Sequence, residues 1–496
     1  MHLSPVPGGP PCRRALGRLT PLSDLAYRPG TVRWTLALPL FLFACTSGPD
    51  PLSGPNTVDP TFHRDIEPLL QKRCQNCHHE GGIGPMPLTA YDSAKLFAPS
   101  IARVTAARTM PPWGASSTDE CQVQHAYRDD QSLSADEIAM LAKWNELGAP
   151  KGDPAAAPKA RTMFDAPIVR DPTISMTPEK GWVPTGRQDQ YRCFVLDPKV
   201  GIPTFVQSVG FRPGNPAVVH HAIVFTDPGR DSPKKVDESG SYECFGSPGL
   251  DDTQILYAWA PGVEPTDLGT QFGYYVPANA LLVLQIHYHP YGEPGAPDRS
   301  SVDLKFSENL PPYAAFLGLI GNFNRTDRDG NGLLAGDDDT DGKVEFRIPA
   351  NKAGHVERMK YTLPARFGDF VVPEFRLLTV GAHMHYVGRD MLMEIERQAP
   401  SQGQPAKECV LQTPQWNFNW QRAYTFDEPV ERAPTIKPGD TLHLRCTYDN
   451  TMQNPFVAKA LSEQALTEPH DVFLGESTLD EMCLGALVLA FPNPLK

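Results

Sequence analysis

The chain has 496 residues, more than one hydrophobic core usually serves, so two to four domains are expected. Its net charge of −13 argues against a nucleic-acid partner, which would need a basic face. With 52 Pro and 40 Gly among many short apolar runs, the body reads as β-rich and loop-rich rather than as helical bundles.

An export segment is expected from about Val32, since residues 1–31, rich in Pro and Arg, fit no part of a signal. Arg33 precedes "WTLALPLFLFAC", an apolar stretch too short to span a bilayer. Its end, "LFAC", resembles a bacterial lipobox, which would make Cys45 a lipidated residue, the membrane anchor of a periplasmic protein; an ordinary cleaved signal is the alternative. "TSGPDPLSGPNTVDP" then reads as a tether, so residues 1–59 are set apart from the folded body. Export implies an oxidising compartment in which disulfides persist.

Residues 60–152 form the first expected module. "FHRDIEPLLQKR" places Phe62, Ile66, Leu69 and Leu70 at helical spacing. Directly after it, Cys74, Cys77 and His78 stand in C-x-x-C-H order, the attachment signal of a c-type haem. The thiols would bond the haem, and the imidazole would ligate its iron. A redox or zinc reading of C-x-x-C needs a βαβ context or a second ligand pair, and the sequence has neither. Ser134 and Glu137 form a capping box at the start of a second helix, which Gly148 and Pro150 stop. Helices at both ends predict a small all-α domain similar to class I cytochromes c. Its sixth iron ligand would be Met110 of "TMPPW" or Met86 of "GPMPL". "GIGPMPLTAYDSAKLFAPSIARVTAARTMPPW" resembles a cytochrome module fused to bacterial oxidoreductases, and that resemblance favours Met110.

"KGDPAAAPKART" opens a linker over residues 153–174. Beyond it, short β-branched and aromatic runs predict antiparallel β-sandwich domains. Six histidines fall in three of these runs: His220 and His221, His287 and His289, His383 and His385. Core packing accounts poorly for so many imidazoles, since each must satisfy two ring nitrogens. Metal ligation explains them, and zinc and copper both accept imidazole. In a regular strand His383 and His385 share a face, whereas the adjacent His220 and His221 share one only at a strand end or bulge. Near the C-terminus Met482 follows Asp480 and Glu481, and a thioether suits Cu(I) rather than zinc.

These histidine runs, the H-x-H before Gly-Arg, the final "DEMC", "FNWQ" and "YDNTMQNP" resemble the type II copper monooxygenases, the peptidylglycine and dopamine β-hydroxylase family, in its bacterial branch. The likeness covers roughly residues 175–490. It implies two jelly-roll-like copper domains, residues 175–312 and 313–496. It also implies two copper ions: an electron-storing one at His220, His221 and His287, with His289 as competitor to His287, and an oxygen-reacting one at His383, His385 and Met482. Disulfides Cys193–Cys244 and Cys446–Cys483 follow from the same resemblance, leaving Cys121 and Cys409 unassigned. The implied reaction is hydroxylation of a C–H bond with O₂, with electrons from a periplasmic donor through the fused haem. Gly381 and Ala486 stand where peptide-amidating relatives carry Arg and Tyr, which points to a small or apolar substrate instead of a peptide. A haem/copper electron carrier, or a copper-binding protein without turnover, is the alternative.

Two acidic stretches lie outside the family pattern. Asp327, Asp329, Asn331 and Gly332, then Asp337, Asp339, Asp341 and Gly342, follow D-x-[DN]-x-[DN]-G order, with Asp338 and Ile348 at the twelfth positions in place of Glu. They read either as a Ca²⁺ site at Asp327, Asp329, Asn331 and Asp338 or as solvated turns.

Overall fold

The helical spacing around the C-x-x-C-H motif is realised locally. Phe62–Ile66 is a π-helical turn continuing into the helix Glu67–Arg73, and Phe62, Ile66, Leu69 and Leu70 are all buried. Ser134 caps the helix Ala135–Glu146: its hydroxyl accepts the Glu137 N–H, and the Glu137 carboxylate accepts the Ser134 N–H. Trp144 of that helix is fully buried against this small core. Gly148, at φ +77°, ends the element in a left-handed conformation that costs a glycine little.

The computed structural model describes residues 59–80, 84, 86–160, 169–186, 188–259, 263–290, 296–340, 342–477 and 479–496. The export segment, Cys45, linker residues 161–168 and Asp341 lie outside the described residues. Asp59–Lys496 forms one compact unit.

The expected sizeable all-α cytochrome c domain does not form. The described residues hold 24 strands and four α-helices, of 7, 16, 12 and 9 residues. Three of those helices make an arm, and the chain between the second and third of them leaves it. From Ala107 to Leu133 the backbone is mostly irregular and runs along the β body. There Ser116 N–H donates to Gln412 O (3.1 Å), Arg128 N–H to Thr425 O (2.7 Å), and Cys121 is disulfide-bonded to Cys409. The physical reason is where the apolar side chains go. Ala115 lies in the largest β core, with Trp113, Val123 and Tyr127 packed against it. This stretch has no helical period, so its partner was not legible from spacing.

The body is sandwich-like. One ten-stranded sheet includes, in order, Ile174–Met176, Ser301–Phe306, Thr204–Arg212, Phe272–Val276, Tyr313–Gly321, Leu484–Pro492, Phe375–His383 and Ala423–Thr425. A five-stranded sheet built around Leu281–Tyr288 shares a core with its first half. Another built around Thr441–Asp449 shares a core with its second half. Leu442, Leu444, Cys446 and Tyr448 alternate with more exposed neighbours, the period of a strand with one face in the core. The large sheet runs through the expected 312/313 boundary, where Phe272–Val276 and Tyr313–Gly321 pair in parallel. Val488 and Ala490 of the last strand belong to the first core, so the two halves are built into one another.

Among the described residues three disulfides are present: Cys193–Cys244, Cys446–Cys483 and Cys121–Cys409. They indicate an extracellular or otherwise oxidising compartment. Among the described residues no helix is long and apolar enough to cross a membrane.

Candidate metal centres

The first cluster depends on a backbone irregularity. Strands Val219–Asp227 and Leu281–Tyr288 pair antiparallel with His221 opposite His287, and the register shifts between Val219 and His221. That bulge makes His220 the extra residue and turns its side chain toward that of His221, as adjacent ligands require. The Nδ1 atoms of His220, His221 and His287 lie 3.1, 3.2 and 3.3 Å apart pairwise.

This geometry fits an ion. Three nitrogens each about 2.0–2.1 Å from one metal stand roughly 3.3–3.5 Å from each other. Burial, then the neighbouring imidazoles, hold His220 and His221 well below the ordinary histidine pKa, so both are neutral and present lone pairs. Converging lone pairs repel unless a cation lies between them. Among the described residues no other group of three His, Cys, Asp or Glu brings its ligand atoms this close. Tyr191 stacks on His287, with ring centroids 4.3 Å apart.

His289 is not in the cluster. It follows the strand end and its Nδ1 meets Asp189 Oδ1 at 2.6 Å, while Asp189 Oδ2 lies 3.5 Å from His287 Nε2. Asp189 thus ties the outer edge of His287 to His289, the kind of outer carboxylate that orients ligating histidines.

His383 is the last residue of strand Phe375–His383, and His385 lies just beyond its end. Their rings are 5.3 Å apart and nearly perpendicular. His383 Nδ1 donates to Gln421 Oε1 (2.6 Å), and His385 Nδ1 donates to Asp480 O (3.0 Å). Both tautomers are thereby set with the Nε2 lone pair free. Burial lowers both pKa values, with His385 taken down to about 3, so both rings are neutral.

Both histidine groups line one cavity of about 20 Å³, together with His289, Tyr386, Phe418 and Glu476. That is room for a water or two. Phe418 joins the groups, stacked on His220 at 5.0 Å and edge-on to His385 at 6.2 Å. Met482 is not among the lining residues. Its backbone is held beside His385, because Glu481 Oε1 accepts the N–H of both residues.

At the C-x-x-C-H motif, Cys74 and Cys77 are free thiols while the other six described cysteines are paired. Burial raises the Cys74 thiol to about 12 and also raises Cys77. Neutral thiols are poor nucleophiles and poor zinc ligands. His78 Nδ1 donates to Met86 O (3.1 Å), leaving Nε2 for a metal. A Cβ on Gly84 would fall 2.5 Å from His78 Nδ1, so only glycine lets the chain close over that ring. Met110 lines a separate cavity of about 80 Å³ with Trp113 and Ile138. A cleft of about 490 Å³ opens beside the motif, of mixed charge: Lys72, Arg73, Arg128 and Arg170 line it together with Asp129, Asp130, Glu264 and Asp267.

The acidic loops are self-capped. Asp327 Oδ1 accepts the Asp329 and Asn331 N–H groups, Asn331 Oδ1 accepts Thr362 N–H, and Asp338 lies 4.0 Å from Arg347. Among the described residues these side chains do not converge as a Ca²⁺ cage would require.

Sequence reasoning missed Asp189, Gln421, Phe418 and Glu481. Gln421 and Phe418 belong to "FNWQ" and Glu481 to "DEMC", yet nothing in spacing shows which imidazole or amide each would meet.

No protein-family model matches the chain, and no curated protein matches it. Among solved structures, a peptide-N(4)-(N-acetyl-β-D-glucosaminyl) asparagine amidase is similar at 9% identity and TM-score 0.25, covering 64% of this chain and 95% of its own. The cowpea mosaic virus empty particle is similar at 8% identity and TM-score 0.23, covering 63% and 92%. The VP2 subviral particle of infectious bursal disease virus is similar at 9% identity and TM-score 0.15, covering 66% and 83%.

Proposed function

We propose that the chain is an exported copper-dependent monooxygenase that hydroxylates a small or apolar substrate, with electrons supplied through a covalently attached c-type haem. The observation carrying this reading is that three convergent Nδ1 atoms and two further neutral histidines line a single cavity. His220, His221 and His287 would hold one copper; His383, His385 and Met482 would hold the other. Copper there would supply the one-electron steps and the O₂ activation that C–H hydroxylation needs. Gln421 and the Asp480 carbonyl orient the second pair of rings, and Phe418 packs between the two histidine groups.

Cys74, Cys77 and His78 would bind the haem. Met110 is the better sixth ligand. The Met86 carbonyl is already engaged by His78 Nδ1, which supports leaving the sixth position to Met110.

One observation favours the electron-carrier reading instead: the cavity between the histidine groups is small, about 20 Å³. Metal analysis and O₂ uptake decide between them. The enzyme reading predicts one iron, two coppers, and product formed as O₂ is consumed by the reduced protein. Full metal content with no O₂ consumed across a panel of apolar substrates would leave the carrier.

A further inference from the structure

The two histidines of the second centre are steered differently. His385 is met by a backbone carbonyl, whereas His383 is met by a side chain from another segment. The His383 Nδ1–H donates to Gln421 Oε1 at 2.6 Å, and the Gln421 amide N–H donates to Phe418 O at 3.2 Å. The carboxamide is therefore held at both ends, and Gln421 is buried. The next residue leaves the site and meets the chain of the helical arm. Arg422 Nε donates to Pro112 O at 2.9 Å, and its guanidinium lies 5.7 Å from the Trp113 ring centre. Two residues on, the Tyr424 hydroxyl accepts the Ala115 N–H at 3.2 Å, and its ring packs edge-on against Trp113 at 5.0 Å. Residues 112–115 thus grip both ends of the segment from Arg422 to Tyr424, and Cys121–Cys409 pins the same stretch to the sheet.

We propose that Gln421 is a positioning residue for His383, and that the seated connection between the arm's second and third helices fixes Gln421 through Arg422, so the second centre reaches its ligating geometry only with that connection docked. The proposal rests on the reading of His383 as a copper ligand. A glutamine oxygen on Nδ1–H sets the tautomer, aims Nε2, and makes that nitrogen a better donor. Because Arg422 and Gln421 share a peptide unit, losing the Pro112 and Trp113 contacts frees the backbone that carries the carboxamide. The arm bearing the C-x-x-C-H motif and the metal ligand His383 then form one mechanical assembly.

The test uses the full-length, copper-loaded protein, with copper affinity read by chelator competition and each centre's environment by electron paramagnetic resonance. Gln421→Leu should weaken copper at the second centre by about 10–100-fold and change its nitrogen hyperfine pattern, leaving the His220 centre's signal intact. Gln421→Glu, which keeps an acceptor, should restore both. Arg422→Met should weaken the same copper by about tenfold with the first centre unchanged. An unchanged second centre in Gln421→Leu overturns the proposal. Loss in Gln421→Leu with none in Arg422→Met overturns the role of that connection. A parent protein that binds no copper at His383 overturns the reading beneath it, and this proposal with it.

Discussion

The carboxyl group of Glu481 accepts the backbone N–H of His385, 96 positions earlier in the chain. The same oxygen accepts the Met482 N–H at 2.7 Å, so one side chain ties the two-histidine turn to the methionine. Burial pushes this carboxyl up to about 8, which leaves it largely protonated at neutral pH. Glu481→Gln, neutral and similar in shape, should therefore be tolerated. Glu481→Ala orphans two buried donors at about 1–3 kcal/mol each and should lower stability by about 2–6 kcal/mol. Thermal unfolding with copper counting checks this, and equal behaviour of the two variants would refute it.

His287 and His289 are separable by metal content. His287→Ala removes one of three converging nitrogens and should cost one copper per chain. His289→Ala, whose ring bonds Asp189 outside the cluster, should keep both. Loss of copper in the His289 variant alone would reverse the assignment.

Met110→Ala should shift the haem potential down and abolish any near-infrared sulfur-to-iron band, while Met86→Leu should leave both in place. The Met86 carbonyl, which does the bonding to His78, survives that substitution. The opposite pattern would move the sixth ligand to Met86.

The Cys121–Cys409 bridge closes a sequence separation of 288 residues and anchors the helical arm. Replacing both cysteines by Ser should cost about 2–5 kcal/mol, read as a lower unfolding midpoint by calorimetry. An unchanged midpoint would show that the packing of Trp113 and Tyr127 holds the arm unaided.

His125 joins the arm to the sheet through Glu408, at 3.0 Å. That hydrogen bond, with the charges of Glu408 and Glu428, raises the His125 pKa above its ordinary 6.5 despite partial burial. A folded-state pKa above the unfolded one means the contribution is complete below about pH 6.5 and fades as pH rises through the raised value. The parent should thus unfold at a higher temperature than His125→Gln in mild acid, with the gap closing in alkali. A gap that widens with pH would contradict the assignment.

Local features were legible in the sequence because their causes span only a few residues. The Ser134–Glu137 capping box and the buried face of Phe62, Ile66, Leu69 and Leu70 follow from the helix period. The same period overreached for the arm, where helices at each end suggested a separate all-α domain and the aperiodic stretch between them in fact packs on the sheet.

Sequence alone determined which side chains are available: six histidines in three apolar runs, a C-x-x-C-H motif, and a methionine near the end. Tertiary structure decided which of their atoms meet. Strand register set His221 opposite His287, a bulge brought in His220, and contacts across long separations selected Gln421 for His383 and Glu481 for His385. The physical reason is that pairing and register depend on what the whole sheet buries, and no short window of residues carries that information.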